Sequence, residues 1–493
     1  MDDSLSYMID SPAYECKGYQ DMKEMWVLIE DLLGGTLAMR AAGRRWLPQE
    51  PEESWESYDV RLKRSVLYNG FGDTIEKLAA RPFSKAITYK YEGKLPDPIK
   101  WMEEDADNQG QHIAVVSHEL FKDGVAYGLA HCLVDYPVTE GTQTLLEEET
   151  NKRHPYIVRI EPDNLIFWNQ DAKGNLVEIR YKEIRISKRG EFGQQSSDYI
   201  IRWTPQDVTE YVKVGAEYKQ IGAVRPHKHG RIPLFTFYTE RTDYLMANPP
   251  LEDLAWMNIA HWQSYSDQRN ILRFARMGIL FMSGVTPTEK ETPIVIAANR
   301  VIKSTEKDAK LAYVEHSGKA IGAGADDIAT IEEKMMVLGM QPLFESTGKA
   351  TATGRAIDES RSSGLAQSWA LEFQSFLESI YRYAAKIVQK PLNESFKVSI
   401  FNEFSLSLKA GLDVQALLAM RQANQISHET FLEEMKRRSV LADSLVIEDE
   451  IKLAKQQAKE KQDQEMASAQ AQASARQKTN NNMKDPVTNA AGV

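Results

Sequence analysis

Between Gly364 and Pro391 the chain carries Trp369, Phe373, Phe376, Ile380, Tyr383 and Ile387 at alternating spacings of four and three. A strand would scatter residues so spaced over both faces; a helix gathers them into one heptad-like stripe. A stripe of six large apolar groups must be covered. The chain therefore needs a long helix over about 365–389 and a surface, its own or another subunit's, for that helix to lie on. Pro391 closes it. The preceding segment, PLFESTGKATATGRAIDESRSSG at 342–364, is polar and holds Gly348, Gly354 and Gly364. It reads as a loop of about 20 residues, and loops that long in compact domains are usually functional or disordered.

A second long helix is expected at about 251–282, after Pro249-Pro250: LEDLAWMNIAHWQSYSDQRNILRFARMGILFM. Its first half is apolar nearly all round, with Trp256, Met257, Ile259, Trp262 and Tyr265, so it must be buried on several sides. In its second half Arg269, Arg273 and Arg276 share one stripe, with Ile271, Phe274, Ala275 and Gly278 opposite. The stripe alone reads as a solvated or ion-paired helix face. Short strands follow at 283–318 (PIVIAANRVIKS, KLAYVEH), then a helix at about 325–339 with acids in its first turn.

The rest falls into blocks. Residues 15–125 read as helices, with a stop at Gly34-Gly35, a break at Gly70–Gly72 and a last helix at 111–124. From 125 to 240 the chain is rich in β-branched and aromatic residues separated by turn residues, apart from a long exposed loop, TEGTQTLLEEETNKRH. FKVSIFNEFSLSL after Pro391 gives one or two strands, and 413–459 is helical again. From about 460 the Gln-, Ala-, Lys- and Asn-rich sequence is expected to be disordered. The fold class is α+β.

Composition and motifs narrow the function. No stretch of about 18 apolar residues is present, so no membrane contact is expected, and the acidic start MDDSLSYMIDS reads as no secretory signal. Cys16 and Cys132 stand far apart, which fits a reducing compartment without a disulfide framework. A net charge of −11 argues against a protein that wraps DNA tightly, though not against one that DNA slides past. Gly348-Lys349 fails as a phosphate-binding loop: Leu343 stands where the first glycine belongs and Ala350 where Ser or Thr belongs. His428-Glu429 and His118-Glu119 lack the second histidine of a zinc protease, having Leu432 and Lys122 there. No metal-ligand spacing is visible. A non-enzyme without cofactor or metal is expected.

The order of these parts resembles the portal proteins of tailed bacteriophages, and more closely a portal-like family catalogued as a domain of unknown function. Three stretches carry the resemblance: RRWLPQEPEESWESYDVRLKRSVLYNGFGDTIEKLAARPF at 44–83, PLEDLAWMNIAHWQSYSDQRNILRFARMGILFMSG at 250–284, and GKATATGRAIDESRSSGLAQSWALEFQSFLESIYRYAAKIVQ at 348–389. It implies a wing at 1–250 and stem helices at 251–282 and 325–339, with the clip at 283–324 between them. It implies a tunnel loop at 340–364, a long helix at 365–392, wing strands at 393–410, crown helices at 411–459 and a tail at 460–493. The implied role is a homo-oligomeric ring, usually of twelve subunits, at one vertex of the virion. Assembled in the host cytoplasm, it would conduct double-stranded DNA non-specifically. Its implied partners are the terminase large subunit, the head–tail adaptor, and the major capsid and scaffolding proteins. Lys349, Thr351, Thr353, Arg355 and Arg361 would face DNA from the tunnel loop, and Arg269, Arg273 and Arg276 would form a basic stripe on the stem. The alternatives are another oligomeric virion protein, such as a capsid or adaptor subunit, or a packaging nuclease or NTPase. The enzymes would need clustered acids or a working phosphate loop.

Overall fold

Gly34 ends the first helix where the sequence places the stop. In this computed structural model α1 (Lys17–Leu33) buries Tyr19, Met22, Trp26, Leu28, Ile29 and Leu32 on one face. The structure describes residues 11–137, 153–277, 279–283, 310–314, 319–339, 352–402, 404, 410–437, 440–441 and 445–482. After α2 (Gly35–Ala42), α3 (Trp55–Arg64) starts on Ser54 and α4 (Gly70–Ala80) on Asn69. The Ser54 and Asn69 side chains accept hydrogen bonds from the Ser57 and Gly72 N–H groups, satisfying donors that a helix start leaves open. Then come β1 (Thr88–Lys90), α5 (Asp97–Glu104) and α6 (Ile113–Tyr127). The expected end of α6 at Gly124 is one turn short. Gly124 lies inside the helix because Phe237 packs against it, and a Cβ there would sit 2.3 Å from the Phe237 ring. The left-handed stop is Gly128, at φ 89°.

The strands follow in chain order as β2 (Leu129–Asp135), β3 (Tyr156–Ile160), β4 (Leu165–Gln170), β5 (Leu176–Arg189), β6 (Gly193–Trp203), β7 (Asp207–Val214), β8 (Glu217–Pro226), β9 (Leu234–Tyr238), β10 (Arg241–Asp243) and β11 (Met246–Ala247). Strands β4 to β8 form an antiparallel meander, and β3-β2-β9 form a second sheet. Every residue of β2 is buried. Its neighbours are α6 and the long helix that the aromatic stripe predicts. The loop expected at 139–154 lies almost wholly outside the described residues.

That long helix follows α7 (Glu252–Met277), β12 (Ile279–Ser283), β13 (Lys310–Val314) and α8 (Lys319–Leu338); it is α9 (Ala352–Ile387), and β14 (Lys397–Ser399) then pairs with β1. Three boundaries differ from expectation. The helix expected to run to 282 stops at Met277, and 279–283 is extended because it pairs with 310–314, Ile279 opposite Val314 and Ser283 opposite Lys310. The helix expected from 325 starts at Lys319 and takes in Gly322 and Gly324; at Gly324 the Gln268 side chain of α7 packs against the helix, whereas Gly322 faces open space. The segment expected to be a loop to 364 is helical from Ala352, which leaves 340–351 outside the described residues.

The aromatic stripe is covered by the chain itself. Phe373 is fully buried and packs edge-on against Phe83, Phe121 and Phe237, at centroid distances of 5.9, 5.3 and 4.9 Å. Beyond Ile380 the buried line passes to Tyr381, Ala384 and Ala385, and Tyr383 and Ile387 are only half-buried. An α-helix turns once in 3.6 residues, so a repeat of 3.5 drifts off the buried face. The seam therefore does not call for a partner subunit. The same holds for the first half of α7. Ile259 and Trp262 are buried against elements of the same unit, and only Trp256 stands about half exposed.

The chain divides into two compact units, residues 1–402 and 403–493. The second contains α10 (Ala410–Gln422), α11 (His428–Arg437) and α12 (Ile447–Asn482). The expected disorder from 460 is corrected as far as Asn482. Ala, Gln, Lys and Glu are strong helix formers, so α12 continues through them without an apolar face. Its described side chains from Lys455 onward are all exposed. Residues 483–493 lie outside the described residues.

Candidate functional site

The first unit holds a two-helix element whose far end is a strand pair. α7 and α8 run antiparallel, with contacts in reverse order along them. His261 Nε2 donates to Glu332 Oε1 at 3.1 Å, Ser264 Oγ to Asp327 at 3.4 Å, and Gln268 Nε2 to the Ile321 carbonyl at 2.8 Å. Gly324 lets the Gln268 side chain approach: a Cβ there would meet its Oε1 at 2.3 Å. The end of the Met335 side chain packs against Gly70, where an added Cβ would lie 2.6 Å from its terminal methyl. The strands β12 and β13 then close the element.

Its root is fixed by polar groups that α7 sends into the α3–α4 region. Asn258 is fully buried; its Oδ1 accepts from the Phe71 N–H and its Nδ2 donates to the Tyr68 carbonyl, both at 2.9 Å. Ser266 and Ser65, also buried, meet at 2.8 Å. His261 stacks on Tyr265 at 5.6 Å and meets the Tyr68 ring at a tilt at 5.1 Å. Arg61 of α3 is buried and held by Glu53 at 2.7 Å, Asp267 at 3.2 Å and the Pro48 carbonyl at 2.7 Å. The Arg61 guanidinium holds Glu53 below the usual carboxylate range, whereas burial raises Asp267 against the opposing pull of Arg61.

Between α3 and α7 lies a cleft of about 460 Å³ lined by Arg61, Arg64, Ser65, Ser266, Arg269, Asn270, Leu272 and Arg273. Two arginines of the expected stripe, Arg269 and Arg273, therefore line one cleft with two from α3. The Arg276 side chain lies outside the described residues. Sequence reasoning missed Arg61 and Arg64, which are some two hundred positions away in the chain, although both fall within the 44–83 stretch.

Of the expected tunnel residues, Lys349 and Thr351 lie outside the described residues. Thr353, Arg355 and Arg361 are in the first three turns of α9. Their side chains lie outside the described residues. Among the described residues there is no group of three or more His, Cys, Asp or Glu side chains placed to hold a metal ion. No helix among them is long and apolar enough to cross a membrane.

A family model described as a domain of unknown function, DUF4055, matches residues 250–387, from the start of α7 to the end of α9. No curated protein matches. Among solved structures, a chain from the virion of a native gene transfer agent particle is 12% identical with a TM-score of 0.41; the match covers 73% of this chain and 88% of that one. A chain from the neck of an empty gene transfer agent particle, computed with C6 symmetry, is 11% identical with a TM-score of 0.43, covering 74% and 88%. A chain from the neck of the native particle, computed with C12 symmetry, is 10% identical with a TM-score of 0.39, covering 73% and 88%.

Proposed function

We propose that this chain is the portal subunit of a tailed-phage-like particle: a non-enzymatic protein that assembles into a ring and conducts double-stranded DNA. The observation that carries the reading is the antiparallel α7–α8 pair ending in β12–β13 and leading into the long, core-seated α9. That order matches the stem, clip and long helix implied by the resemblance. A rigid helical stem rooted in a folded wing suits the task, because the groups that meet other chains stand away from the core that holds them. The strand pair is too small to fold alone and, among the described residues, has two unpaired edges that neighbours can pair with. In this reading the ring, of about twelve subunits, receives the terminase large subunit during packaging and the head–tail adaptor afterwards. The capsid and scaffolding proteins surround it, and it works in the virion without cofactor or metal.

Native mass spectrometry and negative-stain images of the purified protein test this. A closed ring with a central hole is expected. A persistent monomer or dimer across concentrations at physiological salt would refute it. Replacing residues 287–316 by a short glycine linker should leave the wing folded and abolish packaging in vitro; normal packaging yield would refute the stem and clip assignment.

A further inference from the structure

The α7–α8 element carries opposite charge on two of its sides. On one side the α3–α7 cleft is lined by four arginines and no acid. Arg61 is neutralised by Glu53 and Asp267. Arg64 and Arg269 are exposed and form no ion pair with the described residues; Arg269 stands only over the Tyr265 ring, at 5.9 Å. On the other side, the face of α8 turned away from α7 presents Asp326, Thr330, Glu333 and Val337, all exposed and within a narrow stripe at helical spacing. Ile328, Ile331 and Met335 occupy the buried side. Asp326 and Glu333 also form no ion pair with the described residues. Val337 is 63% exposed and Met336 38%, so this stripe is more apolar than a merely solvated helix face.

We infer that these two sides meet between copies of the chain: the arginine cleft of one subunit receives Asp326 and Glu333 on α8 of the next. The inference rests on the ring reading and names the contact that closes it. A ring requires head-to-tail contacts, in which one patch meets a different patch on the neighbour. Two complementary patches on the same helical pair meet that requirement when copies are rotated about an axis near the helix direction. The levels agree. Ser264 meets Asp327 and Gln268 meets Ile321 across the pair, so Asp326 stands level with Tyr265, about one helical turn from Arg269. Glu333 lies seven residues further along α8, about 10 Å beyond Asp326 on the side away from Arg269, roughly level with Asn258; it reaches the cleft only when neighbouring helices cross at an angle, as packed helices do. Val337 and Met336 would be covered in the same contact. A nucleic-acid phosphate would satisfy the arginines but leave both the carboxylates and these apolar groups exposed.

The test is charge reversal with rescue, read by native mass spectrometry and light scattering over a dilution series. Arg64→Glu with Arg269→Glu forms one variant, Asp326→Arg with Glu333→Arg a second, and the four changes together a third. All four side chains are exposed, and thermal melting verifies that each variant folds. Each reversal alone should raise the concentration for half-assembly at least about tenfold, since like charges then face each other across the interface. The combined variant should return to within about threefold of the wild type. Wild-type assembly should itself weaken with salt. If the wild type never assembles, the ring reading fails before this one is reached. If the wild type forms rings and the reversals leave assembly unchanged, or the combination fails to restore it, the contact is wrong. Rings that persist in Arg64→Glu/Arg269→Glu while affinity for a 30-base-pair duplex probe falls would assign the cleft to DNA instead.

Discussion

Replacing Phe373 by alanine distinguishes a helix seated in its own subunit from one that waits for a neighbour. Phe373 is fully buried, with the rings of Phe83, Phe121 and Phe237 edge-on to it and that of Phe376 at 5.3 Å. A buried phenylalanine takes ~150–250 Å² out of water. Most of that area belongs to the ring, so at ~25 cal/mol per Å² its removal forfeits roughly 2–4 kcal/mol. The four surrounding rings belong to β9, α6, the turn after α4 and α9 itself, and they cannot all close on the void. The cavity raises the cost to about 3–5 kcal/mol, the usual range for Phe→Ala in a core. Urea unfolding of dissociated subunits, followed by intrinsic tryptophan fluorescence, measures it. The first unit should lose that stability even where no ring can form. Leu371→Ala, on the exposed side of the same helix, should cost less than about 1 kcal/mol. If Phe373→Ala leaves the dissociated subunit within about 1 kcal/mol of wild type but dissolves the assembly, the stripe is an intersubunit seam and the packing described above is wrong.

Arg61→Ala leaves Glu53 and Asp267 beside an emptied, partly desolvated site and should cost about 3–5 kcal/mol by thermal melting; a loss under about 1 kcal/mol would remove Arg61 as the anchor of α7. His131 is buried with its Nδ1 2.9 Å from Thr236 Oγ1, and burial pushes its pKa down to about 3. The folded imidazole therefore stays neutral while the unfolded one takes a proton below about pH 6.5, so its contribution is intact above that pH. It is lost as pH falls toward 3, at about 1.4 kcal/mol per pH unit. His131→Asn should flatten that slope in denaturation curves taken from pH 7 to 4, and an unchanged slope would refute the assignment. For the proposed portal, changing Lys349, Arg355 and Arg361 together to alanine should leave rings and capsids intact but reduce packaging or retention of DNA, because such contacts hold phosphates without reading bases. Normal genome content and retention would mean that these groups never meet DNA.

The sequence by itself determined the element types and their order. Apolar spacing announced α1, α7 and α9, because helix period is a local property that residues such as Trp369, Phe373 and Phe376 display without help from the rest of the fold. Gly34 and Pro391 marked stops for the same reason, since backbone freedom and a missing N–H act where they stand. The tertiary structure decided what covers each stripe. The aromatic residues of α9 alone could not reveal that Phe83, Phe121 and Phe237 would enclose Phe373, as those partners lie more than a hundred positions away. Boundaries set by pairing were equally hidden. Residues 279–283 are extended because 310–314 lie beside them, and the helix reaches back to Lys319 where α8 packs along α7, with the Gln268 Nε2 donating to the Ile321 carbonyl. The cleft is the clearest case. The stripe Arg269–Arg273 was legible as one helix face, but its meeting with Arg61 and Arg64 required the buried contact between Ser65 and Ser266. Charge on a helix is local, and the surface that it shares with another helix is set by packing.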